Sequence, residues 1–332
     1  MIQSLTVTNY LGESLTIPMK NSESTGFILH DMTGLGPPTA SVNTSKVATK
    51  DGSKYNSARA EERNIVLPMY FTPIPTIEDA RHRSYKYFPL KKPVILAFKT
   101  DNRECQIVGY VETNEPDICS DREGCQVSII CPNPYFSSIY DTVTSFSGVE
   151  AAFEFPFSNE DTLDTANLWI DSDGIPILDS YDRMIAFGVL AAGSPHIEFG
   201  KIVVKAENIV RYGGDAESGV QIRIAASATV KNITIYNVDT RGTMHIYHDK
   251  LVALTGSGIV KGDEIIITTD KGSRSVTLLR NGKSTNILNA IDPRNDEWFS
   301  LTKGDNIFAY TADEGSDYLM FVVDHTTLYE GI

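Results

Sequence analysis

Asn64-Ile65-Val66-Leu67-Pro68-Met69-Tyr70-Phe71, followed by Thr76-Ile77-Glu78-Asp79-Ala80-Arg81-His82-Arg83-Ser84-Tyr85-Lys86-Tyr87-Phe88, is the stretch on which the fold turns. In its first part Ile65, Leu67, Met69 and Phe71 alternate with their neighbours, the period of two by which a strand puts one face on a core. Pro68 has no amide hydrogen for a ladder, so this strand is expected at a sheet edge or a bulge. The period then changes: Ile77, Ala80, Ser84 and Phe88 recur at three- and four-residue steps, one face of a helix. Thr76 is placed to cap it, with Asp79 three residues later in near-match to a capping box. Arg81, Arg83 and Lys86 put cations toward the negative end of the helix dipole, and Pro89 stops the helix.

The surroundings are β. Strands are predicted at Val94–Lys99, Gln106–Glu112 and Gln126–Cys131. Cys131-Pro132-Asn133-Pro134-Tyr135-Phe136 then interrupts them, since two prolines in three positions block both helix and ladder. The junction is placed there: a first domain over residues 1–136, a polar, serine-rich linker over 137–149 and a second domain over 150–332. In the second domain Val220, Ile222 and Ile224 alternate with polar residues, as do Ile233 and Ile235. Glu264–Thr269 and Ser275–Arg280 flank the turn Asp270-Lys271-Gly272-Ser273, and Asn281-Gly282 supplies a type I′ hairpin turn. With further strands at Asn306–Thr311 and Tyr318–Val323, the pattern is that of a mainly β chain whose second half is a sandwich.

The 332 residues carry a net charge of -14, unevenly spread. Residues 1–140 hold 14 basic and 15 acidic side chains, the remainder 15 basic and 28 acidic. So acidic a second half repels phosphate, which argues against nucleic acid as a partner. No apolar run is long enough for a membrane span, and the first residues have neither the basic nor the apolar region of a secretory signal, so synthesis in the cytoplasm is expected. Cys105, Cys119, Cys125 and Cys131 contain no C-x-x-C pair; free thiols are the default in that compartment, with a disulfide after release from the cell as the alternative.

Little in the sequence points to chemistry. There is no G-x-S-x-G elbow and no phosphate-binding loop, and Gly34-Leu35-Gly36 runs into Pro37-Pro38 where a dinucleotide fingerprint needs a helix. His245 and His248, three apart in a β context, fall on opposite faces and read as exposed imidazoles of a strand or turn, not as a zinc site. Asp171-Ser172-Asp173-Gly174 starts like a calcium loop and lacks its closing glutamate; it and the cluster Asp292, Asp296 and Glu297 read as acidic turns. The aromatics Trp169, Tyr181, Tyr212, Trp298, Phe299 and Tyr310 read as core. No catalytic residue, metal or cofactor is assigned.

One segment stands apart. Residues 31–63 are polar and turn-rich, too long and too poor in apolar side chains for an economical connection. Composition alone fits a plain loop, or an arm that orders against a neighbour.

An ordered series of short blocks resembles the siphophage distal tail proteins of Firmicutes phages and prophages. It includes Gly34-Leu35-Gly36-Pro37-Pro38, Asn64-Ile65-Val66-Leu67, Tyr85-Lys86-Tyr87-Phe88-Pro89, Gly109-Tyr110-Val111-Glu112-Thr113-Asn114-Glu115-Pro116-Asp117-Ile118 and Ile130-Cys131-Pro132-Asn133-Pro134-Tyr135-Phe136. Gly262-Asp263-Glu264-Ile265-Ile266-Ile267, Trp298-Phe299-Ser300-Leu301 and Leu328-Tyr329-Glu330-Gly331-Ile332 extend it through the second half. The resemblance implies a tail-tube-like β domain with one helix, a galectin-like β-sandwich after it, and no enzymatic activity. It implies a homo-hexameric ring at the virion tail tip, joined to the tail tube protein and to a tail-associated lysin or tip protein, with a receptor-binding protein as a further partner. It also turns the 31–63 segment into an inter-subunit arm, whose charges are Lys46, Lys50, Asp51, Lys54, Arg59, Glu61, Glu62 and Arg63. The alternative function is a carbohydrate-binding module contacting the host wall, but the H-x-N-x-R set of sugar-binding galectins does not precede Glu297-Trp298.

Overall fold

The computed structural model describes residues 1–29, 31–46, 51–147 and 207–332. Strands β1 (Ile2–Thr8), β2 (Ser14–Pro18), β3 (Phe27–Leu29), β4 (Ala40–Lys46), β5 (Ser53–Ala60) and β6 (Arg63–Phe71) precede helix α1 (Ile77–Tyr87). Then come β7 (Pro93–Thr100), β8 (Glu104–Asp117), β9 (Gly124–Cys131) and β10 (Phe136–Ser138). Apart from β4 and β5, these form one antiparallel sheet in the order β2-β1-β7-β8-β9-β6-β3, with β10 laid on β8.

Strand β6 has the burial that its alternation predicts. Ile65, Leu67, Met69 and Phe71 are all buried, in one cluster with Leu5, Val7, Leu96, Phe98, Val127 and Ile129. Removing such a side chain from water contributes about 1.5–3 kcal/mol. The edge-or-bulge expectation for Pro68 is corrected in part. β6 lies between β9 and β3, but β3 covers only Met69–Phe71, so Pro68 falls just outside the stretch paired on that side.

Helix α1 begins as read. The Thr76 Oγ1 accepts the amide of Asp79 at 3.1 Å and its hydroxyl donates to the Asp79 carboxylate at 2.6 Å. A cap of this kind is worth about 1 kcal/mol. Ala80, Ser84 and Phe88 are buried against the sheet, while Ile77 is half-buried at the edge of the same cluster.

The second half holds β11 (Thr142–Ser147), β12 (Glu207–Tyr212), β13 (Gln221–Ala226), β14 (Lys231–Asn237), β15 (Gly242–Ile246) and helix α2 (His248–Thr255). After it come β16 (Glu264–Thr268), β17 (Ser275–Arg280), β18 (Lys283–Asn286), β19 (Gly304–Glu314), β20 (Leu319–His325) and β21 (Leu328–Tyr329). A six-stranded sheet runs β11-β20-β13-β16-β17-β18 and a four-stranded sheet β12-β19-β14-β15. One core joins their inner faces, with Ile222, Ile265, Val276 and Phe321 from the first against Val210, Ile235, Met244 and Phe308 from the second. Tyr310 stacks on Phe321 across it at 3.9 Å between ring centres. This is the expected sandwich. Asn281 and Gly282, at φ 51° and 75°, make the type I′ turn between β17 and β18.

Helix α2 is an addition to the expected pattern of one helix. It follows β15 after a single residue, has no side-chain cap, and ends at Gly256, whose φ of 78° suits a helix stop. The segment expected as a linker supplies strand to both halves: β10 pairs with β8 and β21, and β11 joins the six-stranded sheet. Residues 328–332 return from the sandwich to the N-terminal sheet, where Tyr329 and Ile332 pack against its core.

Candidate assembly surface

Strands β4 and β5 pair with each other and, among the described residues, with no other strand. Every residue of the hairpin is exposed except the half-buried Ala60 at its base. Register divides it into two faces. Val42 lies opposite Ala58, Thr44 opposite Tyr55 and Ala40 opposite Ala60, after a bulge between Asn43 and Thr44. These residues share a face, and its two large apolar side chains, Val42 and Tyr55, are 57% and 61% exposed. The other face carries Ser41, Asn43, Ser45, Lys54, Ser57 and Arg59. A two-stranded hairpin is marginal on its own in water, and an apolar face left exposed on one marks a surface for contact.

The expected arm charges separate into groups. Lys46, Lys54 and Arg59 lie on the hairpin strands, and Arg59 pairs with Glu61 at 3.2 Å just past the end of β5. Asp51 and Glu62 are exposed beside them. Lys50 lies outside the described residues. Arg63 is not on the hairpin. It is the first residue of β6 and is only 4% exposed.

The Arg63 guanidinium clasps the hairpin's root. Nη1 donates to the carbonyls of Gly34 and Gly36 on the segment leading out to β4, and Nε donates to the Pro134 carbonyl at 2.7 Å. Nη2 donates to the Glu330 carbonyl at 2.6 Å, and the group lies over the Phe136 ring at 4.6 Å from its centre. Its partners are all carbonyls, so burial is the leading influence on its pKa, and lowers it. Gly34, at φ 82°, passes so close to β6 that a side chain there would strike the Asn64 carbonyl. Sequence reading grouped Arg63 with the arm by charge. The signal that places it correctly is parity: Arg63 shares the two-residue period of Ile65, Leu67, Met69 and Phe71, and so the buried face.

The histidine cluster is corrected. His245 is not a free imidazole; its Nδ1 lies 2.8 Å from the carboxylate of the buried Asp296, which also accepts the amides of His245 and Asp292. His248 opens α2, and its Nδ1 is buried. Asp292 accepts the Arg294 amide and the Asn295 side chain, which hold its carboxyl below the usual range, so this acidic turn is knitted internally. Among the described residues no three His, Cys, Asp or Glu side chains converge as metal ligands. Asp171, Asp173, Trp169 and Tyr181 lie outside them.

Tyr212, Phe299 and Tyr310 are core, as expected. Trp298 is half-buried under Arg274, 5.3 Å from its ring centre, in a cleft of about 1100 Å³ between residues 132–137 and the sandwich. The four cysteines are unpaired; Cys105, Cys125 and Cys131 are buried and Cys119 is exposed.

Residues 213–325, the body of the sandwich, match the family model of the siphovirus-type tail component, C-terminal domain. The sandwich is similar to that family over this stretch. The resemblance to siphophage distal tail proteins carried by the sequence blocks is borne out. No curated protein matches the chain in sequence. Among solved structures, the crystal structure of SPP1 Dit (gp 19.1), presented as a paradigm of the hub adsorption apparatus in phages infecting Gram-positive hosts, is similar in fold. Its TM-score is 0.60 at 10% identity, over 98% of each chain. The phage P2 baseplate in its activated, calcium-containing conformation gives 0.45 at 9% identity, also over 98% of each chain. No helix among the described residues is long and apolar enough to cross a membrane.

Proposed function

We propose that the chain is a distal tail protein, a structural hub of a phage baseplate, which closes with identical copies into a ring through the β4–β5 hairpin. The observation that carries this reading is the hairpin's exposed apolar face, with Val42 and Tyr55 projecting from a strand pair that joins no other strand among the described residues. A heterologous contact, one patch against a different patch on the next copy, generates rings when the rotation closes. The tail-component match of residues 213–325 and the fold likeness to SPP1 Dit support the same role.

In this reading residues 1–136 form the ring, residues 150–332 stand outside it, and the ring has six members. It joins the tail tube protein to a tail-associated tip protein at the virion's tail tip, with a receptor-binding protein docked beside it. Its contribution is mechanical and requires no catalytic group.

Deleting residues 40–58 and sizing the product tests the assignment. Loss of the ring with both cores still folded is the expected result. A deleted chain that closes the same ring would remove the hairpin from assembly.

A further inference from the structure

Arg63 sits where three separate stretches of chain meet, and only one of them is the arm. Residues 34–36 lead out to the hairpin, residues 134–136 lead from the N-terminal sheet toward the sandwich, and residues 328–332 come back from the sandwich. The guanidinium takes a carbonyl from each: Gly34 and Gly36, Pro134, and Glu330. The returning segment also meets the arm's root directly. The Ile332 amide donates to the Leu35 carbonyl at 3.2 Å, and a side chain at Gly331 would press on the backbone of Leu35 and Gly36. Arg103 holds this segment from its other side, donating to the Gly331 carbonyl at 3.0 Å and lying over the Tyr329 ring at 4.2 Å. Arg103 also reaches Asp215 in the sandwich, which Lys303 holds at 3.1 Å.

The arm's base is therefore pinned in part by the segment that follows the last sandwich strand and is tethered to it. Pro37-Pro38 stiffens the connection to β4 just beyond the clasp, and the Glu61 amide bonds the Thr39 carbonyl at 2.8 Å, so a fixed root fixes the start of the hairpin. Five guanidinium donors in a rigid plane can serve three strands at once; an ammonium cannot reproduce that fork.

We infer that residues 328–332 are a strap which, through Arg63, sets the direction in which the arm leaves the N-terminal sheet, so that ring closure depends on the sandwich being docked. Arg63 is then a positioning residue for assembly that touches no neighbouring copy itself. The inference rests on the ring reading only for its consequence; the strap's hold on the arm root is a property of the single chain.

The test compares full-length protein with Arg63→Lys, with Gly331→Val and with a chain lacking residues 328–332, by hydrogen exchange and native mass spectrometry. All three changes are expected to raise amide exchange at residues 34–46 and 53–60 by tenfold or more, while β13, β16 and β20 keep their protection. The concentration needed for ring closure is expected to rise at least tenfold. Loosening confined to the arm root, with the sandwich strands still protected, is the signature that a merely structural role would not give. Unchanged exchange at the arm root in the folded, strap-deleted chain would overturn the inference, as would equal loss of protection across both sheets. If the unaltered protein forms no ring at all, the ring reading fails, while the exchange result still decides whether the strap holds the root.

Discussion

Arg63 and Glu330 are 267 positions apart in the chain, yet the guanidinium of one donates to the backbone carbonyl of the other at 2.6 Å. That bond closes a circuit from the arm's root through β6 to the segment returning from the sandwich. Replacing Arg63 with alanine leaves the carbonyls of Gly34, Gly36, Pro134 and Glu330 without their donor and uncovers the Phe136 ring. A hydrogen bond from a charged donor contributes about 1.5–3 kcal/mol, so a loss of about 2 kcal/mol or more is expected in chemical denaturation. A loss under about 1 kcal/mol would mean that water or a rearranged loop replaces the clasp.

The arm's apolar face makes the opposite prediction. Val42→Ser and Tyr55→Ser alter side chains that touch no core, so monomer stability is expected to change by no more than about 0.5 kcal/mol. Association is expected to fall sharply, since apolar side chains buried at an assembly contact are where truncation costs most. Sedimentation at several concentrations separates the two effects.

His325 predicts a pH dependence. It is buried, its Nδ1 has no partner, and it packs edge-on to Tyr212 at 5.6 Å. Burial is the main influence and pushes its pKa below 6.5, with Asp141 and Asp324 acting partly against it. The unfolded chain therefore takes up the proton first. Stability is level above the unfolded histidine value of about 6.5 and falls as pH drops below it, toward the depressed folded value. Urea melts from pH 8 to pH 5 check this, and His325→Gln is expected to flatten the slope in that window.

The thiols offer a separate check on the N-terminal core. Burial raises Cys105 and Cys131 to about 11 and Cys125 to about 12, so these three are protonated and shielded near neutral pH. Cys119 is exposed. A thiol reagent is expected to label one cysteine rapidly in the native protein and four after denaturation. Rapid labelling of two or more in the native state would show that the sheet opens.

Where periodicity and turn chemistry act locally, the sequence was legible. The alternation from Ile65 to Phe71, the Thr76 cap and the Asn281-Gly282 turn each state their own conformation within a few residues. Helix α2 escaped because Ile246 and Tyr247 read as strand, and the only punctuation, Gly256, lies eight residues beyond His248. The His245–Asp296 contact was hidden because it joins residues 51 apart whose charges each looked solvent-facing. The hairpin was visible only as a long polar stretch, since nothing in its composition says whether a neighbour covers it. Arg63 closes the segment that the resemblance makes an arm, and its parity with Ile65, Leu67, Met69 and Phe71 already put its side chain on the buried face of β6.

Ring closure is the claim on which the rest depends, and electron micrographs of the purified full-length protein test it most directly. The expected result is a closed annulus with six-fold symmetry in class averages. Particles the size of a single chain at every concentration up to the solubility limit would contradict it.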